Sequence, residues 1–123
     1  MEVGPYFFDT YALYSIANGT HSYAPYKRVP CVTSVLNLME LHYCLLKDHG
    51  KETANRYFDR FRSYAWDTDD DTIKQAMEFK LENKKRNLSY VDCVGYLMAQ
   101  RNGLVFLTGD KEFKDIQGVE YVK

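Results

Sequence analysis

The stretch Tyr6-Phe7-Phe8-Asp9-Thr10 constrains this chain most. Three aromatic residues follow one another without polar alternation and stop at an acid. A short continuous apolar run is the pattern of a strand covered on both faces, as in a parallel sheet flanked by helices. A buried helical segment shows the same run. Its shortness, and the Gly4-Pro5 break before it, decide for a strand. Asp9 then falls at the carboxyl end of that strand, the edge where open α/β sheets hold their ligands.

The rest of the chain repeats the alternation. Thr10 to Ala17 reads as a helix stopped by Asn18-Gly19. Thr20 to Arg28 reads as a surface loop broken by Pro25, with Pro30 as a further break. Its Tyr23, Tyr26, Lys27 and Arg28 suit a substrate lip that stacks and steers single-stranded bases, or a loop that packs its own aromatics. Cys31-Val32-Thr33 reads as a strand, and Ser34 as the cap of the next helix. Val35, Leu38, Met39, Leu45 and Leu46 recur there at helical spacing up to Gly50. Lys51 to Arg62 is amphipathic through Ala54, Tyr57, Phe58 and Phe61, and Tyr64-Ala65-Trp66 reads as a third strand. The acids of Asp67 to Asp71 read as the negative first turn of a helix or as a metal cluster. That helix runs through Ile73, Ala76, Met77 and Phe79 to about Asn83. Lys84-Lys85-Arg86 is then a solvated helix end or a phosphate-steering patch. A helix from Ser89, apolar nearly all round through Tyr90, Val91, Val94, Leu97, Met98 and Ala99, should be buried. Leu104 to Leu107 is a second buried strand, Thr108-Gly109-Asp110 its turn, Phe113 and Ile116 a short helix, and Val119 to Val122 an edge strand. Alternating β and α elements predict a parallel sheet sandwiched by helices.

A chain of 123 residues suits one domain, and 46% hydrophobic with 27% charged residues is an ordinary globular composition. A net charge of -1 argues against bulk electrostatic grip on nucleic acid and leaves room for a local basic patch. There is no apolar run long enough to span a membrane. Met1, followed at once by an acid and a strand, leaves no room for a leader, so the expected location is cytoplasmic. Cys31, Cys44 and Cys93 are an odd number at no metal spacing and read as buried reduced thiols. His21, His42 and His49 show no metal spacing either, and His42 reads as a packed side chain.

Four acids carry the functional reading. Asp9 and Asp110 each follow a buried strand and share one sheet edge, though each also reads as a helix N-cap. Asp92 doubles as the acid of a capping box begun by Ser89. Glu40 has no such role. It lies mid-helix near the core stripe, where an unpaired carboxylate is costly, unless it turns to solvent or to Lys47. If the four met at one site, each pair at ~4 Å would repel by about 4 kcal/mol at an effective dielectric near 20. Such a cluster persists by protonation or by holding divalent cations, and an all-oxygen donor set selects magnesium or manganese over zinc.

These residues resemble the PIN-domain family. The likeness lies in Phe7-Phe8-Asp9-Thr10, in Thr33-Ser34-Val35 leading to Glu40, in Leu88-Ser89-Tyr90-Val91-Asp92-Cys93, in Leu107-Thr108-Gly109-Asp110-Lys111-Glu112-Phe113, and in the closing Gly118-Val119. The resemblance implies a three-layer α/β/α sandwich with a mainly parallel sheet, one domain over residues 1–123, and metal-dependent endoribonuclease activity. It makes Asp9 and Asp92 the closest ligands of Mg2+ or Mn2+. Glu40 and Asp110 would complete the shell and position the attacking water, while Thr10 and Thr108 orient the carboxylates. Asp115 is a weaker candidate, better explained as a surface acid. Many small members resemble toxins of the virulence-associated protein C type, which pair with an antitoxin and form homodimers. Tyr11 and Cys93 depart from the family pattern without removing a carboxylate. The competing readings are a non-catalytic PIN-like module that binds RNA or protein, and a housekeeping RNA-processing nuclease. A phosphatase or receiver domain is disfavoured, because Tyr11 stands where the first would need an acid and the second an acidic pair at the first strand.

Overall fold

A computed structural model describes residues 5–123. Gly4 of the expected break, and the Met1–Val3 stretch on which the absence of a leader was argued, lie outside the described residues. The elements alternate as the sequence predicts. They are β1 (Tyr6–Phe8), α1 (Thr10–Ala17), a 3-10 segment (His21–Tyr26), β2 (Cys31–Ser34), α2 (Val35–His49), α3 (Lys51–Arg62), β3 (Ala65–Trp66), α4 (Asp70–Glu82), α5 (Tyr90–Arg101), β4 (Val105–Thr108), a 3-10 turn (Lys111–Phe113) and β5 (Val119–Tyr121). The five strands form one sheet in the order β3-β2-β1-β4-β5, and every pairing is parallel. The central β1 aligns Phe7 with Val32 on one side and Phe106 on the other.

Side chains alternate across a strand, so β1 feeds two cores. Tyr6 and Phe8 join Leu13, Leu38, Leu41, Leu45, Phe61 and Leu107 under α1, α2 and α3. Phe7 joins Ala76, Val94, Tyr96, Met98, Phe106 and Phe113 under α4 and α5. This is the expected three-layer sandwich. Gly95 lets α5 approach β1, since a Cβ there would lie 3.0 Å from the Phe7 ring.

Local chemistry sets the boundaries. Ser34 accepts from Asn37 N–H and starts α2; Asp69 accepts from Thr72 N–H and starts α4. The acids of residues 67–71 therefore serve the first turn of α4. Ser89 and Asp92 form a reciprocal capping box.

Three expectations shift. The fourth strand begins at Val105, because Leu104 N–H still bonds Ala99 carbonyl at the exit of α5. Thr108 consequently belongs to the strand, paired with Tyr121, and not to the turn. On α2 the buried stripe is Leu38, Leu41 and Leu45, while Met39 is 56% exposed and Leu46 also faces outward. The chain carries two apolar stripes on that helix, and only one meets the sheet. Ile73 on α4 and Tyr90 on α5 are exposed too, the latter with the Lys80 ammonium 4.9 Å from its ring centre.

Candidate active site

The carboxyl edge of β1 and β4 opens into a cleft of about 710 Å³ lined by Asp9, Asp92, Asp110, Asp48, Lys111 and Lys123 among others. Asp9 ends the buried strand, is 2% exposed, and caps α1 by accepting from Thr10 N–H at 2.8 Å. Its other oxygen accepts from Thr108 Oγ1 at 2.6 Å. Thr108 in turn accepts from Asp110 N–H at 3.1 Å, so one hydroxyl ties the ends of β1 and β4 together.

Glu40 turns toward this edge and not toward Lys47. Its Oε1 accepts from Thr10 Oγ1 at 2.8 Å. Glu40 lines an adjoining recess with Thr10, Met39, Tyr43 and Cys44, and Thr10 borders both hollows. Asp92, held by Ser89 N–H at 2.9 Å, lines the main cleft as well. Asp110 caps the following 3-10 turn through Glu112 N–H at 3.0 Å. The capping roles and the cleft positions are thus held by the same side chains. Asp115 is exposed and outside the cleft lining.

The electrostatics follow from burial. The Asp9 carboxyl is pushed up to about 7, first by burial, then by the charge of Asp92 and more weakly by that of Glu40; the bonds from Thr108 and Thr10 pull it back only in part. Glu40 is raised by burial and by Asp92, against the pull of the Thr10 bond. Asp92 is raised by burial and by Asp110, against the Ser89 bonds and the Lys80 charge. Each carboxylate feels at least one of the others, and no cation offsets Asp9. Among the described residues, however, no three acid, histidine or cysteine side chains form a closed metal-ligand group. The acids face one another around the cleft at a spacing that an ion would have to draw in.

Asn37 was not singled out from the sequence, and it organises the site. It is fully buried, receives Ser34 Oγ on Oδ1 at 2.6 Å, and donates from Nδ2 to Thr10 Oγ1 at 3.0 Å. A second, longer reach from Nδ2 to Asp9 Oδ1 is 3.5 Å. A relay Ser34–Asn37–Thr10–Glu40 therefore fixes one wall. The available signal was spacing: Asn37 and Glu40 lie at i and i+3, one helical turn apart on the same face.

Gly109 sits where space is shortest. A Cβ there would fall 2.1 Å from Tyr11 and 2.4 Å from the Val122 carbonyl. Tyr11 thus packs over the turn that presents Asp110.

These positions decide the family. The PIN domain model matches residues 6–119. The chain belongs to the PIN domain family. No curated protein matches it at a significant level. Among solved structures this PIN domain resembles Mycobacterium tuberculosis VapC20, described as a sarcin-ricin loop cleaving toxin, with a TM-score of 0.82 and 20% identity over 95% of this chain and 98% of that one. A toxin–antitoxin complex from Klebsiella pneumoniae gives 0.75 and 22%, over 94% and 95% of the two chains. DNA-bound VapBC from Salmonella typhimurium gives 0.71 and 22%, over 95% and 96%.

The other sequence candidates find ordinary roles in this PIN domain. Tyr23 is buried and its hydroxyl donates to the Val122 carbonyl at 2.6 Å. Tyr26 donates to Glu120. The loop packs its own aromatics, and Tyr23, Tyr26, Lys27 and Arg28 are absent from the lining of the acid cleft. Arg86 donates to the Glu112 carbonyl at 2.6 Å, while Lys84 and Lys85 are solvated. His42 pairs with Asn55 at 2.7 Å. All three cysteines are free, and burial pushes the Cys31 thiol up to about 12 and Cys93 to about 11. Among the described residues no helix is long and apolar enough to cross a membrane.

Proposed function

We propose that this PIN domain is a divalent-metal-dependent endoribonuclease, acting as a single domain over residues 1–123. The observation that carries this reading is Asp9: a buried carboxylate, raised to about 7 by burial and by Asp92, with no cation beside it. A protein retains such a group only if something it binds needs the charge. The donors on offer are all carboxylate oxygens, the set that suits Mg2+ or Mn2+. Asp9 and Asp92 would hold the ion directly, with Glu40 and Asp110 completing the shell. The ion would supply charge neutralisation at the scissile phosphate and an activated water.

The chain's own residues then have defined tasks. Thr108 holds Asp9 Oδ2 in line with the strand end and fixes Asp110 through its backbone. Thr10 aims Glu40, and Asn37 holds Thr10. Lys111 and Lys123, on the cleft lining, draw a phosphate strand toward the acids.

The resemblance to VapC20 and to toxin–antitoxin complexes supports the toxin of a toxin–antitoxin pair over a housekeeping processor. That reading brings a protein antitoxin, a homodimer and a cytoplasmic setting. It is tested by purifying the chain with the product of any neighbouring small gene and asking whether the pair co-elutes and cleavage stops.

One observation favours a non-catalytic RNA- or protein-binding module instead: the acids do not form a closed ligand group. Calorimetry with Mg2+ and Mn2+ separates the two. Binding at millimolar concentrations or tighter, lost in Asp9→Asn, supports the nuclease. No heat from either ion supports the module.

A further inference from the structure

The cationic residues of the loop after α1 line a second cleft, away from the acids. It holds about 540 Å³ between the end of α1, residues 26–31 and the last turns of α3. That volume lies within the range of small-ligand sites, roughly 300–1,000 Å³. Its lining carries Lys27, Arg28 and Arg60 and no acid, in a chain whose net charge is -1. Aromatic rings stand among these cations. The Tyr57 ring has the Arg56 guanidinium 5.4 Å and the Arg60 guanidinium 5.9 Å from its centre. Tyr64 is exposed beside them. Glu120, the acid that meets Tyr26, is engaged by the hydroxyls of Tyr6 and Tyr26.

We propose that this cleft is a second RNA contact, holding an unpaired nucleotide of the strand whose cleavage is assigned to the acid site. Phosphate meets Lys27, Arg28 and Arg60, and the base stacks on Tyr57 or Tyr64. The proposal rests on the ribonuclease reading above. Cations interleaved with exposed rings are what single strands need: charge for the backbone and a sequence-tolerant face for the base. Stacking of Arg60 on Tyr57 settles part of its rotamer freedom before a ligand arrives. An acidic protein segment would satisfy the cations and leave the rings without a partner. The eight residues of α1 separate the two clefts by about 12 Å of helix, a gap that a few nucleotides of extended strand cover.

The test uses the full chain carrying Asp9→Asn, which binds without cutting, and a fluorescent unstructured RNA. Lys27→Glu, Arg28→Glu and Arg60→Glu combined should weaken binding at least tenfold. They should also flatten the dependence of log K on log salt by about 2 to 3, one step per lost phosphate contact. Lys27→Ala, Arg28→Ala and Arg60→Gln give the same direction if charge reversal impairs folding, which circular dichroism checks. Unchanged affinity and salt slope in either folded triple variant overturns the proposal. So does displacement of the RNA by poly-glutamate that depends on these three cations, which would assign the cleft to a protein. If the triple variant loses RNA binding while the wild-type chain cuts no RNA with either metal, the cleft stands and the nuclease reading falls. Cleavage that persists with unaltered KM in the triple variant has the opposite meaning.

Discussion

The two ends of α1 carry opposite chemistry. At its N-terminus Asp9, Asp92 and Asp110 line one cleft; at its C-terminus Lys27, Arg28 and Arg60 line the other. Both placements agree with the helix dipole, which favours anions at the start of a helix and cations at the end. They differ in solvation. Asp9 is buried and its charge is opposed by its surroundings, whereas the three cations are solvated at the surface. A charge kept where it is unfavourable marks a site that needs that charge. A charge kept where it costs nothing steers and holds. A net charge of -1 hides both, because the two clusters cancel in the sum.

The sharpest way to break this contrast is at Asp9. Asp9→Asn keeps the hydrogen bonds from Thr10 and Thr108 within reach of an amide and removes the charge. Metal-dependent RNA cleavage should fall to background, while a surface change such as Asp115→Asn leaves it intact.

The same substitution should stabilise the metal-free protein at high pH. Asp9 titrates at about 7 folded against an ordinary 3.8. A carboxyl raised in the folded state binds its proton more tightly there. Its contribution is fully present below 3.8 and is lost as pH rises through about 7. Above that pH the lost stability reaches at most about 4 kcal/mol. Melting of the two metal-free proteins should therefore diverge between pH 4 and 8, with Asp9→Asn higher at pH 8. Coincident curves would mean that the buried charge carries no strain.

Smaller effects test the supports. Thr108→Val removes the hydroxyl shared by Asp9 and Asp110 and should lower metal affinity or kcat about 10- to 100-fold, read by calorimetry and by cleavage. Gly109→Ala must displace Tyr11 or the Val122 carbonyl, and should cost about 1–3 kcal/mol in urea unfolding. Asp115→Asn should change stability by less than about 0.5 kcal/mol.

Much of the frame was legible because local and global signals agree. The unbroken Tyr6–Phe8 run, the Ser34 cap and the Ser89–Asp92 box each specify an element on their own, and each appears where expected. The acids were legible because strand ends and caps put them on one edge. What escaped depends on tertiary contact. Met39 and Leu46 share the apolar character of Leu38 and Leu45, and only the position of the sheet decides which stripe is buried. Tyr23 and Tyr26 read as a lip until the C-terminal strand supplies the Val122 carbonyl and Glu120 as partners nearly a hundred residues away. Asn37 looked like a polar interruption between Leu36 and Leu38. Its role exists only once Thr10 is packed against it.

The measurement that goes straight to the central claim is cleavage of a mixed structured RNA by the purified protein with Mg2+, with Mn2+ and with chelator, beside Asp9→Asn and Asp92→Asn. The acid cleft predicts cutting with at least one ion, none with chelator, and none in either folded variant. Cutting that survives chelator, or that Asp9→Asn performs as well as the parent, would contradict it.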